Sequence, residues 1–427
     1  MSFRPTPEAL HVLVVGGGGR EHALAWACGR SPLVRGVSCA PGNAGTAEIG
    51  ANHQVAPTDA QALLGLVKRE AVDLVLLGPD AAVAAGVADE LRDAEVPVFG
   101  AGREAGRLET SKAFAKGVMD QAGVRTAPWA AFRDHAEALA HLRRRGAPVV
   151  VKADGLALGK GAFVCATEEE AEGVLEALMV RRSLGGAGAT VVIEDCLEGE
   201  EISLFALTDG DRVVMLPPAR DYKRAWVKDQ GPNTGGMGAF APAPESDWAG
   251  VNRRAREEVV EPVLREMRRR GTPFQGCLYV GGILTAQGLK VLEFNARFGD
   301  PEAEVLLPLL PDPVPLFWQT ARGGLEPQDL GAPSGFCLGV VAVRRPYPEP
   351  IEGGGEISGL ETAAELGCQV FQMGTRVGPS SRPEVSGGRV LICTATGGGL
   401  ESARQLAYSG IEAVSFAGMS YRPDIGA

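Results

Sequence analysis

Between residues 11 and 100 strand-like and helix-like runs alternate, and this alternation constrains the fold more than any other feature. The apolar runs His11–Val15, Val34–Cys39, Val72–Leu77 and Val96–Phe99 have strand length, and helical patterns lie between them at Glu21–Gly29, Asp59–Glu70 and Ala82–Asp93. Such a chain forms a parallel sheet covered by helices, because parallel neighbours need a crossover. Ligands of these sheets bind beyond the carboxyl ends of the strands. Those ends carry Gly16–Gly19, Pro41–Gly45 and Gly78–Asp80.

The pattern changes after residue 109. A helix over Thr110–Ala122 leads into strands at Val149–Lys152 and Ala162–Ala166, a helix at Glu168–Met179, a glycine loop at Gly185–Gly188 and a strand at Thr190–Asp195. Further strands are expected at Glu201–Thr208, Val213–Leu216, Gly276–Leu284 and Leu289–Phe294, with a long Arg/Glu-rich helix at Asp247–Arg270 whose charges form a solvated face. The last hundred residues read as short strands with glycine turns. The whole is an α/β and α+β multidomain chain, and 427 residues give about two to four domains with ample apolar material.

Several function classes drop out on composition. A net charge of −11 argues against a nucleic-acid surface, which needs a basic stripe. The eight cysteines include no CxxC pair, which argues against zinc and thioredoxin-like chemistry, and most sit in apolar runs. All five histidines lie in the first third, so no histidine triad arises from the later regions. The first residues lack the apolar core of a signal peptide and no run is long enough to span a bilayer, so a cytoplasmic location is expected.

Five motifs carry chemistry. Gly16-Gly17-Gly18-Gly19-Arg20-Glu21-His22 turns a strand into a helix whose free amides suit an anion. A dinucleotide fingerprint would need a third glycine at Glu21 and an acid in the stretch Ala40–Asn43, and has neither. Lys152 closes an apolar strand, and the loop Ala153–Gly161 can lay amides over phosphates, with Lys112 as a second cation; the spacing is not that of a Walker A loop. The strand Val191–Asp195 ends in Cys196-Leu197-Glu198-Gly199-Glu200-Glu201, either an acidic loop or a linker offering an adenine edge and a ribose carboxylate. Glu293 and Asn295 alternate on one strand face, a pairing that suits a hard cation. Asp221–Arg224 and Gly231–Gly238 form a long glycine-rich connection able to wrap a polar substrate.

Together these motifs resemble the ATP-grasp fold. The phrases Gly231-Pro232-Asn233-Thr234-Gly235-Gly236-Met237-Gly238 and Glu293-Phe294-Asn295-Ala296-Arg297-Phe298-Gly299-Asp300-Pro301-Glu302 resemble phosphoribosylamine–glycine ligases specifically. The resemblance runs from residue 11 to the end and implies four regions: an N-terminal α/β substrate domain (1–109), a lid (110–195), a central catalytic domain (196–330) and a C-terminal domain (331–427). It implies joining of glycine to 5-phosphoribosylamine at the expense of ATP, giving glycinamide ribonucleotide for purine synthesis, with Mg²⁺ or Mn²⁺. It further implies a monomer acting on small molecules, without nucleic acid or membrane partners. Lys112, Lys152, Gly159, Lys160 and Gly161 would hold phosphates. Glu194, Asp195 and Leu197 would line the adenine, with Glu200 or Glu201 on the ribose. Glu293 and Asn295 would hold the metal. Gly18, Gly19, Arg20, Glu21, Asn43, Gly45 and Asp80 would face the phosphoribosylamine.

Lys152 and Asp221 are expected in the catalytic machinery, and Asn233 at the substrate. Arg297 is assigned to the carboxylate of glycine, because a guanidinium can take both oxygens. The competing role is an ion pair with Asp300 or Glu302. The chain departs from the family at Gly17 (usually Asn or Ser), Asp80 (Glu), Leu158, Tyr222 (His) and Arg344-Arg345 (small residues), which touches sugar contacts more than the reaction. The rival readings are another ATP-grasp ligase and a nucleotide-binding regulator without catalysis. The first often carries a metal-binding acid on the strand before Glu293, and Gly276–Leu284 has none. Intact Lys152, Glu293 and Asn295 argue against the second.

Overall fold

The computed structural model describes residues 9–157, 161–243, 247–326, 328, 330–351 and 354–427. Its N-terminal sheet is parallel and five-stranded. In spatial order it runs Ala51–Asn52, Val34–Pro41, Leu10–Gly16, Leu74–Leu77 and Val98–Phe99. Leu13, Val15, Val75 and Leu77 pack on one side against Leu63, Leu66 and Leu91. Val12, Val14, Leu74 and Leu76 join the main core on the other. Both faces are covered, so the strands are apolar throughout. The strand order reverses at Leu10–Gly16, and Gly16 and Gly78 mark the opening there. The expected helix at 82–93 is two, Asp80–Ala85 and Val87–Asp93, because Gly86 adopts a left-handed φ of 78°.

The second sheet is antiparallel, in the order Trp129–Phe132, Val191–Asp195, Val149–Ala153 and Ala162–Cys165. Helices His135–Arg145 and Glu168–Leu175 bury Leu142, Ala171 and Leu175 against it. A third sheet runs Val213–Met215, Glu200–Thr208, Gly276–Thr285, Gly288–Asn295. The long helix, Trp248–Arg269 with a π-type turn at Arg256–Val260, lies against this sheet. Its charges do face outward, but Val251, Val259, Val263, Leu264 and Met267 are buried, so one side is core.

The C-terminal region is more regular than short strands and turns. Two nine-residue strands, Phe336–Arg344 and Arg389–Gly397, pair antiparallel beneath the helix Leu400–Ala413. The glycine-rich connection supplies two further strands to this sheet, Arg220–Asp221 and Gly238–Ala241. The helix Lys112–Ala122 packs in the core of the third sheet, and Thr126 bridges to Val291. Sheet and core therefore cross the boundaries expected at 110, 195 and 330. Hydrogen bonding and burial follow space, and the connections here return to a neighbouring layer.

Candidate active site

The layers meet around a cavity of 790 Å³. At one end Lys152, at the close of its strand, is only 5 % exposed. Its ammonium pairs with Glu194, which also pairs with Lys116 at 2.5 Å. Lys116 donates to the Thr126 hydroxyl at 2.6 Å as well. Burial pushes the Lys116 ammonium pKa below its ordinary value, while Glu194 pulls it back up. Removing one partner of so buried an ion pair costs about 3–5 kcal/mol, so Glu194 is a frame for two lysines and its side chain is not free for adenine. Lys116 went unnoticed in the sequence; the available signal was its position one helical turn beyond Lys112. Lys112 lines the same cavity. Ser111 caps its helix by accepting from Phe114 N, and the Asp154 carboxylate accepts from Ala113 N at 2.7 Å, which ties the helix to the loop after Lys152.

Glu293 and Asn295 reach the cavity from the neighbouring strand. The register passes from Gly281↔Glu293 to Gly282↔Val291, leaving Leu292 as the extra residue of a bulge. The bulge breaks the simple alternation expected there: Leu292 lines the cavity beside Glu293, and its carbonyl accepts from Lys152 Nζ at 3.1 Å. Among the described residues no hydrogen bond reaches the Glu293 carboxylate. Burial alone would raise its pKa, but Lys223, Lys152, Lys112 and Arg297 hold it below the ordinary value. A charged, uncommitted carboxylate beside an amide oxygen fits a hard divalent cation that keeps most of its waters. No group of three or more His, Cys, Asp or Glu side chains poised for a metal occurs among the described residues.

Around the loop, Leu197, Glu200, Glu201 and Gly161 line the cavity. Glu200 pairs with Arg220 at 2.9 Å and Glu201 with Lys223 at 3.1 Å. Asp195 borders the cavity, but its carboxylate is gripped by Arg145 and its amide donates to the Pro128 carbonyl, so neither is free for a base. Gly159, Lys160 and Leu158 lie outside the described residues. Asn233 reaches the strand Ala162–Cys165, its amide 3.5 Å from the Ala162 carbonyl.

At the other end Arg20, Asp80 and Arg389 line the cavity, but Gly18, Gly19, Glu21, Asn43 and Gly45 do not. Two of the helix-start amides expected to take an anion, those of Gly18 and Arg20, are already used. Glu21 accepts from Gly18 N (2.6 Å) and Arg20 Nε (2.7 Å), and Asp300 accepts from Arg20 N (3.3 Å). Asn43 is 5 % exposed, and its amide donates to the carbonyls of Gly17 and Gln372, strapping the loop to the C-terminal region. Gly45 lies under the His22 ring, and Gly19 lies against Glu304 and Met373. Gly17 abuts the Gly42 carbonyl, which a Cβ would approach to 2.5 Å, so the side chain common at that position has no room in this loop. Arg389, unrecognised in the sequence, pairs with Asp300 at 2.9 Å and donates to the Gly235 carbonyl.

Arg297 also lines the cavity, although its strand ends at Asn295. Its ion-pair partner is neither Asp300 nor Glu302. It pairs with Glu109 at 2.7 Å and donates to the Phe298 carbonyl. Glu109 is held in turn by the amide of Ala296. Beyond Arg297, Asp221 and Glu302 share the hydroxyl of Ser203, at 3.4 and 3.3 Å, and Tyr279 donates to Glu302 at 2.7 Å. Tyr222, in the position where histidine is common, is buried and accepts from Gly426 N.

Three family models match in sequence. They are the phosphoribosylglycinamide synthetase N domain over 10–109, its ATP-grasp (A) domain over 110–303 and its C domain over 337–427. The phosphoribosylamine–glycine ligase of Streptomyces coelicolor is 45% identical over 98% of this chain and 99% of its own length. The trifunctional purine biosynthetic protein adenosine-3 of Gallus gallus is 43% identical over 97% of this chain, which spans 42% of that longer protein. The crystal structure of the phosphoribosylamine–glycine ligase from Thermotoga maritima superposes with a TM-score of 0.85 at 34% identity, covering 97% of this chain and 100% of that one. The chain belongs to the phosphoribosylglycinamide synthetase family.

Proposed function

We propose that this chain ligates glycine to 5-phosphoribosylamine, converting ATP to ADP and phosphate through a glycyl phosphate and yielding glycinamide ribonucleotide for purine synthesis. The observation that carries the reading is one cavity joining the Lys116–Glu194–Lys152 triad to Glu293 and Asn295. The names of the full-length relatives support it. A carboxylate is a poor electrophile, and phosphorylation gives it a leaving group. The protein then has to position the reactants and neutralise charge, which needs no covalent nucleophile. Lys152, with Lys112 and Lys116, meets the phosphates. Glu293 and Asn295 would hold Mg²⁺ or Mn²⁺, which would supply charge to offset that of the phosphates. Arg20 and Asp80 face the sugar phosphate.

Arg297, clamped by Glu109, keeps part of its guanidinium toward the cavity for the activated carboxylate. All eight cysteines are unpaired and seven are buried, which supports a reducing compartment such as the cytoplasm. No helix among the described residues is long and apolar enough to cross a membrane. The test is glycine labelled with ¹⁸O in its carboxylate. One label is expected in the released phosphate, and unlabelled phosphate overturns the acyl-phosphate route.

A further inference from the structure

A groove of 290 Å³ outside the active site is basic, on a chain whose net charge is −11. It lies between the turn at 209–213 and the outer face of the helix Trp248–Arg269, and it shares no lining residue with the active-site cavity. Four arginines, Arg212, Arg256, Arg265 and Arg268, face two acids, Asp211 and Glu261. Both acids are already paired. Glu261 accepts from Arg256 Nε at 2.8 Å, and Asp211 pairs with Arg268 at 3.3 Å. Arg265 has no hydrogen bond or ion pair among the described residues. Arg212 gives one guanidinium nitrogen to the Leu325 carbonyl and has no ion pair among them. Two guanidinium charges are therefore unopposed.

The walls are held in place. Asp209 accepts from the amides of Asp211 and Arg212 at 3.0 and 2.8 Å and from that of Leu325 at 2.9 Å, and Arg268 donates to the Gly210 carbonyl at 2.9 Å. The helix carries its π-type turn at this groove, where Glu261 N donates to the Arg256 carbonyl five residues back. In an unbroken α-helix side chains five residues apart point about 140° away from each other. The wider turn brings Arg256 beneath Glu261, into the stripe that Arg265 and Arg268 continue at i+4 and i+7. Such turns interrupt helix regularity and recur at functional sites.

We propose that this groove is a second anion site, separate from the catalytic centre, which takes a phosphate group, free or carried by a small ester. Guanidinium forks match phosphate oxygens two at a time. Two unopposed charges match a phosphate monoester, which is close to a dianion near neutral pH, better than a single carboxylate. The volume is at the small end for ligand sites, which suits a phosphate group better than a whole nucleotide.

The experiment is calorimetric titration of the full chain with inorganic phosphate and, separately, with glycerol 3-phosphate, in saturating Mg²⁺ and a non-hydrolysable ATP analogue that fills the active-site cavity. Arg265→Ser should weaken binding roughly tenfold or more, the loss expected for a charge-assisted hydrogen bond. It should leave thermal unfolding unchanged, because Arg265 is exposed and has no partner to lose. Glu261→Gln removes an acid and frees Arg256, so it should tighten binding roughly threefold, whereas general loosening of the helix would weaken it. Equal affinity for the two ligands assigns the site to the phosphate group alone, and tighter glycerol 3-phosphate assigns it to a phosphorylated small molecule; either result supports the proposal. Absence of binding, unchanged affinity in Arg265→Ser, or weaker binding in Glu261→Gln overturns it.

Discussion

One cavity holds two groups of buried carboxylates, and the fold treats them oppositely. Glu194 sits between Lys116 and Lys152, with its charge more than matched. Asp221 and Glu302 have hydroxyls for neighbours and a lysine 3.9 Å from one of them. A buried carboxylate with its own cations belongs to the frame, and its work is to hold those cations still. A buried carboxylate with fewer cations around it is pushed towards its protonated form, and in a cavity it favours a positive group from solution. The two ends of the cavity therefore differ in charge: lysines frame one and carboxylates line the other.

The largest expected effect tests the lysine end. Lys152→Met keeps the length of the side chain and removes the charge. Lys116 still neutralises Glu194, so the protein should stay folded. Turnover should fall roughly 10²–10³-fold, the size associated with one group that stabilises developing charge. ADP release and thermal denatured fraction, measured on the same preparation, check it. Full turnover in Lys152→Met would make the triad purely structural and remove the contrast between the two ends.

How much of this was legible in sequence varies with the kind of contact. The alternation from 11 to 100 was enough for the parallel sheet, because strand and helix periods are local properties. Lys152, Glu293 and Asn295, which line one cavity, can be singled out because they sit on strands whose apolar runs are visible. What stayed hidden were partners distant in the chain. Glu109 holds Arg297, 188 positions later in sequence; Arg389 comes from the C-terminal sheet to Asp300; Glu21 takes the amide that the glycine loop offered to an anion. The Leu292 bulge was equally invisible, since only pairing with Gly281 and Gly282 reveals the extra residue. The crossing of the glycine-rich connection into the C-terminal sheet was hidden for the same reason: its strands are two and four residues long.

A middle-sized effect sharpens the carboxylate end through pH. Asp221 is pushed up to about 7 from 3.8, chiefly by burial, with Glu302 and Glu201 adding to it and Lys223 opposing. The folded protein therefore binds this proton more tightly than the unfolded chain does. The resulting stability is fully present below about pH 4 and is lost as pH rises through about 7. Between pH 5 and 8 the unsubstituted chain should lose stability relative to Asp221→Asn, whose amide does not titrate. The gap should amount to about 2 °C or more in Tm. Identical Tm-versus-pH curves for the two proteins would mean that Asp221 is already neutralised in the fold, and the distinction from Glu194 would fail.

The smallest effect concerns Tyr279, which supports the carboxylate pair. Tyr279→Phe removes the hydroxyl that donates to Glu302 at 2.7 Å and keeps the ring, packed 4.7 Å from the Phe205 centroid. Glu302 then loses one of its two donors. Ser203, which shares a hydrogen bond with the Tyr279 hydroxyl at 2.8 Å, is released from it and already stands 3.3 Å from the same carboxylate oxygen. Ser203 remains as the other donor, and the net loss should be near the value of a single neutral hydrogen bond, about 1 kcal/mol of stability. Denaturant unfolding of the variant decides it. A loss several times larger would make the phenol, not the Ser203 hydroxyl, the main support of Glu302.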